Sequence, residues 1–324
     1  MKVLFTVAAA VLATHAATVS AQSAQNYPNR PVRLVVPFSP GGGNDIVARF
    51  VAQRMTESFG QTAVVDNRPG AGSTLGTDVV AKAPPDGYTL LVTHNAIAIN
   101  ETLYPKLPYD AEKDFAQVIL VGSTTNTVVV HPKVPAKTTK ELIALAKSKS
   151  GALNYGSTGA GGTSHLAMEY FKLSTGTDLV HIPYKGTGPA LIDLTGGQVQ
   201  VMISALPGTI PYIQGKRVVA LATTGAKRSA FLPELPTLNE SGVPGYVFDT
   251  WYGLHAPAKT ARDIVTKLNT TLVKALGTPA VKEQLFKAGI EADPGTPEAF
   301  RKFMIAEIQK MAKIIKASGA KPEV

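Results

Sequence analysis

Apolar and polar residues along this chain fall into short blocks whose period switches between that of a strand and that of a helix. Arg33 to Phe38 is a β-rich run bounded by prolines and then glycines, the pattern of a buried strand. Pro40 to Gly43 is a turn, and Asn44 or Asp45 stands where a helix cap is needed. That helix runs to about Ser58 with Ile46, Val47, Phe50, Val51 and Met55 on one face, and Gly60 stops it. Ala63 to Asp66 is a second strand and Asn67 to Gly72 a loop. A short helix to Ala83, the turn Pro84-Pro85-Asp86-Gly87 and the strand Tyr88 to Thr93 follow. Strand, helix, strand, helix, strand in this order opens a parallel α/β sheet.

The pattern changes near residues 121–131 and a second series begins. Thr127 to Val130 is a strand, and Thr138 or Thr139 caps a helix ending near Gly151. Leu153 to Tyr155 is a strand, followed by a glycine loop and a helix from about Ser164 to Leu173. Leu179 to Ile182, Val199 to Ser204 and Val218 to Thr223 read as further strands, with a helix ending near Gly196-Gly197. Pro233 to Gly245 is a crossing rich in proline and glycine. After Val247 to Ala256 the chain is helical: Ala261 to Leu276, Pro279 to Ala288, and Pro297 to about Ala317. In the last helix Phe300, Phe303, Met304, Ile308, Met311 and Ile315 form a stripe suited to packing on a sheet. Two α/β series joined by two crossings, near 121–131 and 245–256, predict a hinged, two-lobed molecule. The lobes are expected at 22–125 with 251–324, and at 126–250.

Composition narrows this. At 324 residues, two domains are expected, and 44% hydrophobic with 17% charged residues describes a packed globular chain. Residues 1–21 form a secretory signal pattern: Lys2, an apolar run from Val3 to Ala13, and Val19-Ser20-Ala21 for cleavage. No later run is long enough to span a bilayer, and the absence of cysteine removes lipid attachment, disulfides and thiol chemistry. For a bacterial chain this predicts a soluble periplasmic protein. The net charge of +9 is dispersed, with no basic run and no interleaved aromatics, so nucleic acid is not an expected partner.

The candidate chemistry lies in two glycine-rich stretches, Phe38 to Asp45 and Ser157 to His165, each between a strand and a helix. Such junctions aim free backbone N–H groups and the positive end of a helix dipole at whatever sits above them. Two of them suggest two walls closing on a small anion. Phe38, Ser39, Gly41, Gly42, Gly43, Asn44 and Asp45 form the first candidate set. Ser157, Thr158, Gly159, Gly162, Thr163, Ser164 and His165 form the second. His94, Asn95 and Ser204 join them from the carboxyl ends of other strands, where open α/β sheets bind ligands. The same residue types also cap helices and shape turns without any ligand. Neither stretch has phosphate-loop or dinucleotide spacing, so no nucleotide cofactor is expected. His165 and Glu169 are spaced i, i+4, but no second pair accompanies them to complete a metal site. Ser157 or Ser164 with His165 leaves a secreted α/β hydrolase as the alternative, although no Gly-x-Ser-x-Gly elbow is present.

Several motifs together resemble one family. Tyr27-Pro28-Asn29-Arg30-Pro31 through Val36-Pro37-Phe38-Ser39-Pro40-Gly41-Gly42 and Asp45, Asn67-Arg68-Pro69-Gly70-Ala71-Gly72, and Pro85-Asp86-Gly87-Tyr88 are similar to the receptors of tripartite tricarboxylate transporters, the Bordetella uptake (Bug) group. So are Asn154-Tyr155-Gly156-Ser157, Thr163-Ser164-His165, Pro183-Tyr184-Lys185-Gly186, Leu232-Pro233-Glu234-Leu235-Pro236-Thr237 and Trp251-Tyr252-Gly253-Leu254. The resemblance covers nearly all of the chain after residue 21. It departs in Asp66, where glutamate is commoner, and in Gly43-Asn44, which fill variable positions. It implies a periplasmic-binding-protein-like fold of two Rossmann-like lobes with a hinge and a ligand cleft. The implied function is non-enzymatic capture of a small carboxylate, a di- or tricarboxylate or an aromatic acid, by a monomer without cofactor or metal. Delivery to the membrane permease of the transporter would follow, and a sensor kinase is the other partner left open. Asp45 would orient the first loop.

Overall fold

The computed structural model describes residues 24–322; the expected signal segment, residues 1–21, lies outside them. The apolar run at the start becomes strand β1 (Val32–Val36), flanked in parallel by β2 (Ala63–Asn67) and β3 (Thr89–His94). Helices α1 (Gly43–Phe59) and α2 (Thr74–Ala81) make the crossovers between them. The six-stranded sheet is completed by β4 (Phe115–Thr124), β10 (Thr250–Pro257) and β11 (Glu291–Ala292), in the order β11-β4-β10-β3-β1-β2. The second sheet contains β5 (Asn126–Val130), β6 (Asn154–Ser157), β7 (Val180–Pro183), β8 (Val201–Ala205) and β9 (Val219–Thr223), in the order β7-β6-β8-β5-β9.

Each series is parallel where expected, in β2-β1-β3 and β7-β6-β8, but both sheets are mixed. β10 runs antiparallel to β3 and β4, and β5 antiparallel to β8 and β9. The reason is where the chain crosses. β4 ends at Thr124 and β5 starts at Asn126, so β5 enters its sheet from the end at which the neighbouring strands finish. β10 re-enters the first sheet in the same way after β9. Both crossings therefore pass the carboxyl ends of the parallel strands, which is where the glycine loops lie.

The first sheet buries Leu34, Val36, Leu90 and Leu254 against Val47, Val51 and Met55 of α1 and Ile264, Leu268 and Leu272 of α8 (Arg262–Leu276). The second sheet buries Val128, Tyr155, Val201 and Ile203 against Leu142 of α4 (Thr139–Ser148) and Leu166, Met168 and Phe171 of α5 (Thr163–Thr175). Each such aliphatic side chain contributes roughly 1.5–3 kcal/mol on burial. Its other face packs on Ala190, Leu191 and Leu194 of α6 (Thr187–Gly196).

Four elements are additional to the pattern-based reading: α3 (Ala96–Leu103), the whole of β4, the two-residue β11, and α7 (Leu206–Gln214), which carries Pro211 inside it. After α9 (Pro279–Lys287), the final helix α10 (Pro297–Ser318) buries its stripe, but against more than a sheet. Phe300 and Met304 join Trp251 and Leu91 in a core beside the first sheet, whereas Met311 and Ile315 join the core of the second. Among the described residues no helix is long and apolar enough to cross a membrane.

Candidate functional site

The first loop leaves β1 at Val36 and turns at Gly41, whose φ of +86° is a left-handed conformation that favours glycine. The N-cap of α1 is Gly42, which makes no side-chain cap bond; Asn44 and Asp45 lie inside the first turn rather than capping it. The N–H groups of Gly43, Asn44 and Asp45 thus have no intrahelical acceptor. Asp45 Oδ2 accepts from Gly41 N at 3.1 Å and from Arg49 Nε at 3.0 Å, which fixes the loop onto its own helix. The Asn44 side chain is buried, and neither of its polar atoms has a hydrogen-bond partner. Phe38 lies against His94, ring centroids 4.6 Å apart.

The second loop is tied to itself. Thr158 N donates to Ser164 Oγ at 2.7 Å, Gly159 N to Ser157 Oγ at 3.0 Å, Gly161 N to His165 Nδ1 at 3.3 Å and Gly162 N to Gly159 O at 2.8 Å. Of the amides expected to face a ligand, these four are engaged within the loop. Thr163 and Ser164, in the first turn of α5, are the residues whose N–H groups have no intrahelical acceptor. The N-cap of α5 is again a glycine, Gly162, without a side-chain cap bond. Ser157 Oγ lies 2.5 Å from His181 Nε2, and His181 stacks between Tyr155 and His165 at 4.8 and 4.3 Å. The serine–histidine pair seen here therefore joins Ser157 to His181, not to the histidine proposed from the sequence. Burial pushes His181 down to about 4, against the pull of Glu169, so the ring is neutral near pH 7. Glu169 itself accepts from Tyr155 Oη at 2.7 Å and Lys172 Nζ at 2.9 Å. Among the described residues no group of three or more His, Asp or Glu is placed to hold a metal ion.

Each loop makes its own contacts across the cleft, with elements other than the opposite loop. Thr163 Oγ1 is 3.0 Å from His94 Nδ1, which also accepts from Ala96 N at 3.1 Å. Burial drives His94 down to about 3, so the ring is neutral near pH 7. The Ala96 N–H donating to Nδ1 marks that nitrogen as the unprotonated one, and the threonine hydroxyl donates to it. Ser39 N donates to Lys185 O at 2.9 Å, and Tyr104 Oη to Ala160 O at 3.0 Å. A Cβ on Gly42 would lie 3.1 Å from Thr187, the first residue of α6, whose N-cap Gly186 also lacks a side-chain cap bond. Three glycine-capped helix N-termini, those of α1, α5 and α6, border the same cleft. Ser204, at the end of β8, is buried with its hydroxyl unpartnered. Asn95 differs: its amide bonds Asp249 O and Trp251 N, both at 3.1 Å, on the crossing strand.

Other residues reach the site that the candidate sets did not include. The buried Tyr252 hydroxyl is unpartnered, and a Cβ on Gly43 would collide with it. A third loop, Gly70–Ser73, holds Ala71 and Ser73 at φ +44° and +87°, and a Cβ on Gly72 would collide with Ala160 O. Backbone strain of this kind persists where its surroundings enforce it. With Phe38, Thr158, Tyr184 and Lys185 this loop lines a cavity of about 230 Å³. A larger cavity of about 500 Å³, among Gln117, Arg262 and Arg301, shares no residue with either glycine loop. The smaller one is lined by residues of both glycine stretches, Phe38 of the first and Thr158 to Ala160 of the second.

The family model for the tripartite tricarboxylate transporter family receptor matches residues 47–320. The chain belongs to that receptor family. BugT of Bordetella pertussis is 38% identical over 301 residues, 92% of each chain. A solved R. palustris protein with adipate superposes with a TM-score of 0.90 at 38% identity, covering 92% of this chain and all of that one. MatC from Rhodopseudomonas palustris, with bound malate, gives 0.86 at 32% identity over 89% of this chain and all of its own. The receptor is a two-lobed solute-binding protein, not an enzyme, and the hydrolase alternative falls with that assignment.

Proposed function

We propose that the receptor is periplasmic and captures a small carboxylate between the first and second glycine loops, then hands it to the permease of a tripartite tricarboxylate transporter. The observation that carries this reading is that three helices with glycine N-caps and no side-chain cap bond, α1, α5 and α6, begin beside the cleft. Gly42 of α1 lies against Thr187 of α6, and Thr163 of α5 bonds His94, which packs on Phe38. Uncapped N–H groups and aligned dipoles at one place favour a negative oxygen. The unpartnered Asn44 amide and Ser204 and Tyr252 hydroxyls supply neutral hydrogen bonds beside them. The relatives solved with adipate and with malate support a dicarboxylate among the candidate acids. In this reading residues 22–125 with 251–324 form one lobe and 126–250 the other. The hinge lies at the two crossings, and closure marks the loaded state for the permease. The receptor acts as a monomer and needs no cofactor.

A thermal-shift screen of residues 22–324 against aliphatic, aromatic and amino-acid carboxylates, with matching amides and sugars as controls, tests this. A ligand at a hundred times its Kd stabilises by about 2.7 kcal/mol. A carboxylate is expected to raise the melting temperature where its amide does not. No response to any carboxylate would overturn the assignment of the cleft.

A further inference from the structure

Helix α10 follows the second crossing, yet it is built into both cores, and one buried carboxylate sits where it passes between them. Phe300 and Met304 pack beside the first sheet with Trp251; Met311 and Ile315 pack in the second core with Phe171 of α5 and Tyr246. Glu307 lies between these pairs on the same stripe and is only 7% exposed. The helical pattern favours an apolar side chain at such a position, and a buried carboxylate is costly unless its oxygens are bonded. Here they are. Oε2 accepts from Trp251 Nε1 at 3.0 Å and Asn95 Nδ2 at 3.3 Å, and Oε1 from Lys310 Nζ at 3.2 Å.

These partners span the hinge and the cleft. Trp251 is the second residue of β10, the strand that re-enters the first sheet. Asn95 bonds the same strand through Asp249 O and Trp251 N, and it follows His94, which meets Phe38 and Thr163 in the cleft. On its far half α10 packs against α5, whose N-terminus carries the second glycine loop. We propose that Glu307 is a positioning residue for closure: it pins α10 to the returning crossing strand, so that α5 and its loop pivot about this point. The inference rests on the hinged-receptor reading but not on the identity of the ligand.

The chain has no cysteine, so Leu75→Cys on α2 and Ile192→Cys on α6, both well exposed, give one label on each side of the cleft. Pulsed electron–electron distance measurements then report the lobe separation with and without adipate or malate. In ligand-free protein, Glu307→Ala is expected to broaden the distance distribution and Glu307→Gln, which keeps an acceptor, to stay near wild type. Trp251→Phe removes a single donor and serves if Glu307→Ala fails to fold; it is expected to broaden the distribution to a smaller extent. Lys310→Ala, losing a half-exposed partner, is the control. Where a carboxylate binds, Glu307→Ala should weaken it about tenfold, within the range of positions that couple sites without touching ligand. Unchanged distributions in the folded Glu307→Ala or Trp251→Phe proteins would overturn the pivot. A wild-type protein unmoved by any carboxylate would count against the ligand reading, while the ligand-free distances would still decide the pivot.

Discussion

The two glycine loops share a design in sequence and differ in how they are held. The first is anchored from its own helix, by Asp45 reaching back to Gly41, and leaves the first-turn amides and the Asn44 side chain uncommitted. The second is cross-linked internally through Ser157, Ser164 and His165, and leans on a stack of three rings. A pre-ordered backbone lowers the conformational cost of binding, and uncommitted donors supply the binding itself. The first loop is thus suited to contribute most of the contact, and the second most of the rigidity.

The largest effect should come from crowding the first loop. Gly43→Ala places a methyl against Tyr252; overpacking of this kind costs ~1–3 kcal/mol and displaces the neighbouring Asn44. Titration calorimetry with the carboxylate found by the screen is expected to show a loss of about 100-fold, ~2.7 kcal/mol. Tyr252→Leu in the same chain should recover part of it. Unchanged affinity would remove the first loop from the contact surface.

A smaller loss should follow from loosening the second loop. Ser164→Ala deprives Thr158 N of its acceptor, and a buried unsatisfied donor costs about 1–3 kcal/mol. The contrast predicts a lower melting temperature together with roughly tenfold weaker binding. Full binding at unchanged stability would mean that the internal bonds do not hold the loop.

The smallest effect is one of pH, and it belongs to the second loop and to His94, which touches a residue of each loop. His181 and His94 titrate near 4 and 3 in the folded chain instead of 6.5. Below pH 6.5 the unfolded chain therefore binds more protons, so stability is complete above that pH and falls as the solution is acidified. Each such histidine contributes at most about 1.4 kcal/mol per pH unit, and the partly accessible His181 less. Denaturant melts from pH 7 to 5 should show this slope, and His181→Asn should flatten it by ~1 kcal/mol at pH 5. An unaltered slope would assign the acid sensitivity to His94 and to the buried His255, which shares the shift.

Much of the fold was legible because its signals are local. The glycine turns and the alternation of apolar blocks mark both loops and the strands before them to within a residue or two. What was not legible depends on distant parts of the chain. Pro211 hides α7, and the short apolar α3 shows no polar face to reveal its period. The reversed directions of β5 and β10 follow from the crossings, not from their own residues. In the site, Tyr252, Thr187 and the strained Gly70–Ser73 loop are brought in by tertiary structure, and the bonds internal to the second loop depend on side-chain rotamers that a motif does not encode.

The strand order also sets a schedule for synthesis. β10 lies between β3 and β4, so the sheet that begins at residue 32 lacks a central strand until residue 257 has been made. The strands of the second sheet all lie within residues 126–223, although its core later takes in Met311 and Ile315 of α10. A chain emerging from its N-terminus can thus pair all strands of the later sheet while β3 and β4 of the earlier one still wait for the strand that joins them.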